Sequence, residues 1–474
     1  MNRLLRKIWD SPTWTTLFMQ VISPLRFLLL TPLVLTRFSP LELDVFYLIA
    51  STTILFSIFS NRLSNVFVRM LSFAFGGATD LGKWTGKKAP TTTGQPNWEL
   101  FKEAYLSLGV LLFIACLPSL ILSVVLMWLS VGALVDFSFE DKRLWAGAML
   151  GAIGPVFSFL MLRPSMALKA TGNISLQNRI AVMAGIASVV LSSLAVILGG
   201  RLIAILLVQL AITTFSRWLM GRYLPREIRP FTSHIGWSYR IFNWAREPLW
   251  KGLVTVLAGM GVQRGVGVFL AFTGTVGLAG PFLFVQSLLS TCQTMASAPL
   301  NSQIPRYSKM LEEGKRAQIG ADSLVRIFAT SLLFSIAVIV ISFAIPVLLP
   351  LIGSNMTALP VKDSLLLGGL RCLYWPLICF NLVQGVSNDV KVVWRFLVAS
   401  PFSLALFYIG SQTQEYVWFS LGMYVPFILA LNWYTLRNYL EFVGKRWSGV
   451  SKEAREMAWK RLQGLVSKLF VSGS

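Results

Sequence analysis

The chain reads as a succession of long apolar runs separated by short polar breaks. Twelve runs of about 20 residues or more stand out, the length needed to cross a hydrocarbon core of about 30 Å. They fall at about 14–38, 43–70, 104–130, 144–163, 179–198, 201–220, 249–272, 276–300, 323–352, 364–387, 391–410 and 414–436. The pattern predicts membrane-spanning helices, because within a bilayer the backbone polar groups must be satisfied inside each segment. The first run is long and no small-residue cleavage site follows it, so it is expected to stay as a span rather than serve as a signal peptide.

The last stretch behaves differently. Between about 451 and 470, Ala454, Ala458, Leu462, Leu465 and Leu469 recur at helical spacing, opposite Lys and Arg. It is too polar to span and is expected to lie as an amphipathic helix on the inner leaflet.

Composition supports this reading. Of 474 residues, 55% are hydrophobic and only 13% charged, about half the charged fraction of an ordinary soluble domain. The 42 basic and 20 acidic residues give a net charge of +22. Such an excess in a soluble chain would suggest nucleic acid. Here the basic residues sit in short loops between apolar runs, so no nucleic-acid partner is expected. The loops alternate in charge. One side takes Lys83, Lys87, Lys88, Lys102, Arg163, Arg222, Arg226, Arg306 and the basic tail; the other is short and holds little more than Arg37, Lys142, Arg143, Arg201 and Lys362. The positive-inside rule then puts both termini in the cytoplasm of a multi-pass protein.

The two halves look like variations on one pattern. Each opens with a span carrying an arginine at similar depth, Arg26 in span one and Arg264 in span seven. Each second span leaves into basic turns, Val68-Arg69-Met70 and Pro305-Arg306-Tyr307. The expected architecture is all-α: two six-helix lobes related by a pseudo-two-fold axis along the membrane normal. The N-terminal lobe would cover 1–222, a cytoplasmic linker 223–247, the C-terminal lobe 248–437 and the amphipathic tail 438–474.

Four arginines lie within or just inside apolar runs: Arg26, Arg62, Arg264 and Arg371. A charge at mid-bilayer costs at least about 2.5–3.5 kcal/mol on insertion scales. A planar guanidinium suits phosphate through paired, charge-assisted bonds. These four are therefore the candidate substrate-binding residues, for an anionic ligand. Arg62, in the patch Ser60-Asn61-Arg62-Leu63-Ser64-Asn65, has the competing role of snorkelling to headgroups. Arg371 could reach outward or bond a carbonyl freed by Pro376. No carboxylate falls at mid-membrane: Asp44, Asp322, Asp363 and Asp389 all sit near span ends. Cation coupling through a membrane acid, or export of cationic drugs, would call for one deeper.

Other motifs add little chemistry. Gly77 to Lys83 fits the first seven positions of a phosphate-binding loop, but Trp84 replaces the Mg²⁺-binding hydroxyl and no strand precedes it. Cys116, Cys292, Cys372 and Cys379 form no CxxC pair, so neither disulfides nor a metal site are expected. His234, the single histidine, lies in a basic loop and reads as a surface residue. Gly259, Gly261, Gly265 and Gly267 crowd around Arg264 and are expected to allow close helix packing rather than to form a hinge. No catalytic residue and no cofactor is expected, and the lack of acids and of a large external loop argues against a glycosyltransferase.

The segments LLLTPLVLTRFSPLELDVFYLIAS (28–51), VGLAGPFLFVQSLL (276–289) and APLNSQIPRYSKMLEEGKR (298–316) resemble the polysaccharide-exporter branch, the Wzx-like oligosaccharide flippases, of the multidrug/oligosaccharidyl-lipid/polysaccharide exporter superfamily. Many relatives have an Asp-Leu-Gly-like patch late in span two. This chain has Asn61-Arg62-Leu63, which adds positive charge. The two further spans usual in lipid II flippases are not found. The resemblance implies a flippase in a bacterial cytoplasmic membrane, with two lobes in a V around a cationic cavity. Its cargo would be a polyprenyl-pyrophosphate-linked oligosaccharide, moved from the cytoplasmic to the external leaflet by alternating access. Its partners would be that lipid-linked oligosaccharide and the bilayer, with a polysaccharide polymerase or glycosyltransferases as further candidates. Two competing expectations stand beside it: a cation-coupled drug or metabolite antiporter of the same superfamily, and a non-transporting subunit of a polysaccharide synthase.

Overall fold

The computed structural model describes residues 12–79, 95–231, 234–273, 275–301, 303, 307, 310, 315–384, 393–444 and 447–471, and within some helices the backbone but not every side chain. Most of the loop that resembles a phosphate-binding loop lies outside the described residues.

Twelve helical crossings follow the apolar runs. In the first half they are α1 (Pro12–Arg37), α2 (Pro40–Phe75), α3 (Trp98–Leu134), α4 (Lys142–Leu160), α6 (Ile174–Ile197) and α7 (Leu202–Arg222), with the short α5 (Arg163–Ala170) continuing α4 past a bend. The seventh crossing has three parts: α8 (Tyr239–Thr255), a π-helical turn (Val256–Gly261) and α9 (Val262–Ala271). Then come α10 (Ala279–Asn301), α11 (Arg316–Leu351), α12 (Val361–Gln384), α13 (Val393–Thr413) and α14 (Tyr416–Val443), followed by the tail helix α15 (Trp447–Val471). Among the described residues seven helices are long and apolar enough to cross a membrane by length and composition alone.

Local chemistry sets the helix ends. Ser39 caps α2 in a reciprocal box with Glu42, and Pro40 supplies a fixed φ at the first helical position. Asn97 caps α3 and Asp141 caps α4. Gly444 ends α14 in the left-handed region, at φ 71°. The seventh crossing starts at Tyr239, earlier than the apolar run beginning near 249, because polarity hides an amphipathic first turn. Ile241, Trp244 and Ala245 are buried while Arg240, Arg246 and Glu247 are exposed.

On α11, Ile327, Phe334, Val338, Ile341 and Ile345 are buried, yet Phe328, Leu332, Ile336, Ile339 and Phe343 are exposed. A helix apolar on both faces meets protein on one and lipid on the other. The tail helix is not free of the lobe: it packs on α11 and buries Val450 and Ala454. At the basic end of the C-terminal lobe, Tyr307 donates to Asp322 (2.6 Å), and Arg326 bonds the same carboxylate (2.9 Å). Burial, reinforced by that carboxylate, pushes the Tyr307 phenol pKa upward.

The apolar core is asymmetric across the membrane. At the end carrying the short loops, residues of both halves share one core, including Val34, Phe38, Val45 and Tyr47 with Val266, Phe282, Phe284 and Met356. At the basic end the N-terminal lobe has a separate core built from Phe67, Met70, Phe101, Tyr105, Met166 and Ile241. The halves thus share a core at the short-loop end, and at the basic end the N-terminal lobe's own core takes in the start of the seventh crossing through Ile241, Trp244 and Ala245.

Candidate functional site

The interface between the lobes is made by α1, α2 and α3 on one side and the seventh crossing (α8, its π turn and α9) with α10 on the other. At its closed end each lobe binds a helix terminus of the other. Asp44, on the first turns of α2 and fully buried, accepts backbone hydrogen bonds from Gly277 (2.7 Å) and Gly280 (2.5 Å) at the start of α10. A helix N-terminus presents unpaired N–H groups and the positive end of its dipole, so a carboxylate is the matching partner. In return, Asn355, between α11 and α12, serves the C-terminus of α1. Its N–H donates to the Leu35 carbonyl (2.9 Å), and its Nδ2 donates to the carbonyls of Phe38 (2.9 Å) and Thr36 (3.4 Å). Tyr47 and Phe284 pack beneath, with ring centroids 5.7 Å apart.

Glycine is required at two points of this closure. Gly277 has φ +87°, which other residues rarely adopt. A Cβ on Gly280 would sit 2.7 Å from Asp44 Oδ1.

The four candidate arginines are placed unequally. Arg26, Arg62 and Arg264 lie on α1, α2 and α9, so all three belong to helices that build the inter-lobe interface; their side chains are outside the described residues. Arg26 is 11 residues before the end of α1, about 16 Å along the axis. Arg264 is 7 residues before the end of α9, about 10 Å.

Arg371 is fully visible and buried at 6% exposure. It points neither to the outer surface nor to a carbonyl of its own helix; it reaches α10. Its Nε donates to Gln293 Oε1 (2.6 Å), Nη1 to the Gln286 carbonyl (3.2 Å) and Nη2 to Ser290 Oγ (2.8 Å). The guanidinium also lies 6.0 Å from the Phe334 ring centroid. Every one of these partners is neutral.

The glycines around Arg264 have distinct roles. A Cβ on Gly259 would strike the Phe396 ring at 2.6 Å, so α13 packs directly on the π turn, whereas Gly265 has nothing within 4 Å. Ser400 of α13 places its single hydroxyl proton between the Ala258 carbonyl in the same turn and the Phe396 carbonyl of its own helix. A π turn shifts the hydrogen-bond ladder by one residue and leaves carbonyls in need of donors.

The linker before α8 is tied to the N-terminal lobe. Arg163 donates to the His234 carbonyl (2.8 Å), Gly236 N–H to the Leu106 carbonyl (3.3 Å), and Lys102 sits 3.8 Å from the Phe231 centroid.

Reading the sequence passed over Asp44, Asn355 and the Gln286–Ser290–Gln293 row. A signal for Asp44 did exist. Gly277-Leu278-Ala279-Gly280-Pro281 is a glycine-flanked helix start, which calls for an anion from elsewhere in the chain. Asn355 and the α10 row carry no such local mark.

No protein-family model matches the chain, and no curated protein sequence matches it. Solved structures do. A MATE multidrug transporter, DinF-BH, in complex with R6G superposes with TM-score 0.60 at 12% identity, covering 93% of this chain and 97% of that one. The lipid II flippase MurJ in an inward closed conformation gives TM-score 0.61 at 14% identity, covering 93% and 89%. The MATE transporter NorM-NG, in complex with R6G and a monobody, gives 0.58 at 15%, covering 94% and 96%. The chain is an all-α membrane protein with a twelve-helix, two-lobe fold that matches these MATE transporters and superposes on 89% of this lipid II flippase.

Proposed function

We propose that this chain is an alternating-access flippase that moves a polyprenyl-pyrophosphate-linked oligosaccharide from the basic face to the short-loop face of a bacterial cytoplasmic membrane, for polysaccharide biosynthesis. The basic face is then cytoplasmic. The observation that carries the reading is the sign of the interior. Arg371 is buried in the C-terminal lobe with neutral partners only, and Arg26, Arg62 and Arg264 lie on the interface helices. Among the described carboxylates, Asp44, Asp322, Asp363, Glu415 and Glu441 lie toward helix ends or loops, and Glu247, midway along α8, is exposed and paired with Lys251. A pyrophosphate headgroup needs a cationic path across the bilayer, while its lipid tail can stay in hydrocarbon.

Multidrug transporters among the structural neighbours favour a second reading, a cation-coupled drug or metabolite antiporter. A deletion strain separates the two. The flippase reading expects lipid-linked glycan to accumulate on the inner leaflet, with Arg26→Ala and Arg264→Ala reproducing the defect. Export of cationic dyes by purified protein, intact in Arg26→Ala, would replace it with the antiporter.

A further inference from the structure

The buried guanidinium of Arg371 lacks a counter-charge. It lies 10 residues into α12, about 15 Å from the helix start. Buried charges are normally paired, because an isolated ion in a low-dielectric interior is very costly. Among the described residues of the C-terminal lobe every carboxylate is placed elsewhere. Asp322 holds Arg326 and Tyr307, and Glu441 holds Arg437. Asp363 is 8 residues before Arg371 on α12, about 12 Å away along the axis, and Glu415 lies in the short-loop turn before α14.

The groups around Arg371 are donors with too little to bind. Its three hydrogen bonds use three of five guanidinium N–H groups. Tyr374 stands one turn further along α12, 5% exposed, and its Oη has the Gln263 amide as neighbour without a hydrogen bond of full geometry. The Gln263 amide lies beside that phenol, yet its Nε2 also reaches no acceptor in hydrogen-bonding geometry. The Gln286 amide has only long contacts, 3.5 Å to the Gln263 carbonyl and 3.7 Å to Met423 Sδ. One cation and three underused neutral donors therefore meet where α9, α10 and α12 come together, and no described acid accompanies them.

We infer that the Arg371–Tyr374–Gln263–Gln286 cluster binds a small monovalent inorganic anion, of chloride size, inside the C-terminal lobe. Such an ion accepts hydrogen bonds from all four groups and neutralises the guanidinium. Because all four residues are buried, the occupant carries no bulky substituent. That separates this site from a lipid phosphate in the inter-lobe cleft, and leaves the cationic path of the cargo proposed above to Arg26, Arg62 and Arg264.

The test is thermal unfolding of purified, detergent-solubilised protein in chloride and in gluconate at matched ionic strength. Wild type should unfold at higher temperature in chloride, with a saturable dependence on its concentration. Arg371→Gln, which removes the charge, should show no difference between the two anions. Tyr374→Phe keeps the ring packing and should raise the half-saturating chloride concentration roughly ten-fold, as expected for one hydrogen bond to a charged group. Should Arg371→Gln not fold, the Tyr374→Phe midpoint decides. Equal unfolding temperatures for wild type in both anions, an undiminished chloride effect in Arg371→Gln, or an unmoved midpoint in Tyr374→Phe would overturn the site.

Discussion

Asp44 and Gly280, 236 positions apart in the chain, meet through a carboxylate–amide hydrogen bond that holds the two lobes together at the short-loop end. The bond joins the second crossing to the start of the eighth and is mirrored by Asn355 on the end of the first. Opening this end requires both contacts to break.

Asp44→Asn keeps the shape and removes the charge. Hydrogen bonds to charged groups contribute about 1.5–3 kcal/mol, so the share of molecules open at the short-loop end should rise ten-fold or more. Spin labels at Glu140 and Gln414, both exposed, would report this as a longer inter-lobe distance population. An unchanged distribution would remove Asp44 from the closure.

Gly280→Ala should act like Asp44→Asn, since its Cβ would press on Asp44 Oδ1. Crowding of this kind costs about 1–3 kcal/mol. Because the two residues share one contact, the double variant should be clearly less disruptive than the sum of the single effects. Full additivity in the same distance measurement would contradict the contact.

Asn355→Ala leaves its backbone N–H bond to Leu35 in place and deletes the amide contacts to Phe38 and Thr36. The expected opening is smaller than for Asp44→Asn, consistent with about 0.5–1.5 kcal/mol for a neutral hydrogen bond. Protection of α1 and α2 amides from hydrogen exchange would rank the two variants, and the reverse order would refute the assignment.

Ser400→Ala should lower the unfolding temperature, because it removes the hydroxyl shared by the Ala258 carbonyl in the π turn and the Phe396 carbonyl of α13. Leaving a buried acceptor unpaired costs about 1–3 kcal/mol. Gly259→Ala should be worse, as its Cβ meets the Phe396 ring rather than a flexible chain end. If Ser400→Ala matched wild type in thermal unfolding, the hydroxyl would not be supporting the turn.

The crossings were legible because a bilayer imposes a length and an apolar composition that any run either meets or misses. The ends shifted where chemistry is mixed: α3 starts at Trp98 and α11 at Arg316, each extending a span with polar turns that a hydropathy pattern counts as loop. The π turn was not legible, since glycines at 259 and 261 are equally compatible with close packing, and packing is indeed what Gly259 provides. Arg371 was visible as a buried charge, but its partners on α10 are an ordinary serine and two glutamines whose positions matter only after α10 and α12 have docked. Asp44 shows the same limit more sharply: its place near a span end made it look like a surface acid, and only the tertiary fold buries it.

The seventh crossing changes company partway through the membrane. Its first half buries Ile241, Trp244 and Ala245 in the N-terminal lobe's own core, and its second half buries Val266, Leu270 and Ala271 in the core common to both lobes. The covalent boundary between the halves therefore does not coincide with the mechanical one. A chain cut in the linker near residue 238 would yield a second piece that begins with a helical hook lodged in the first, so the two pieces should find each other and stay together without the peptide bond.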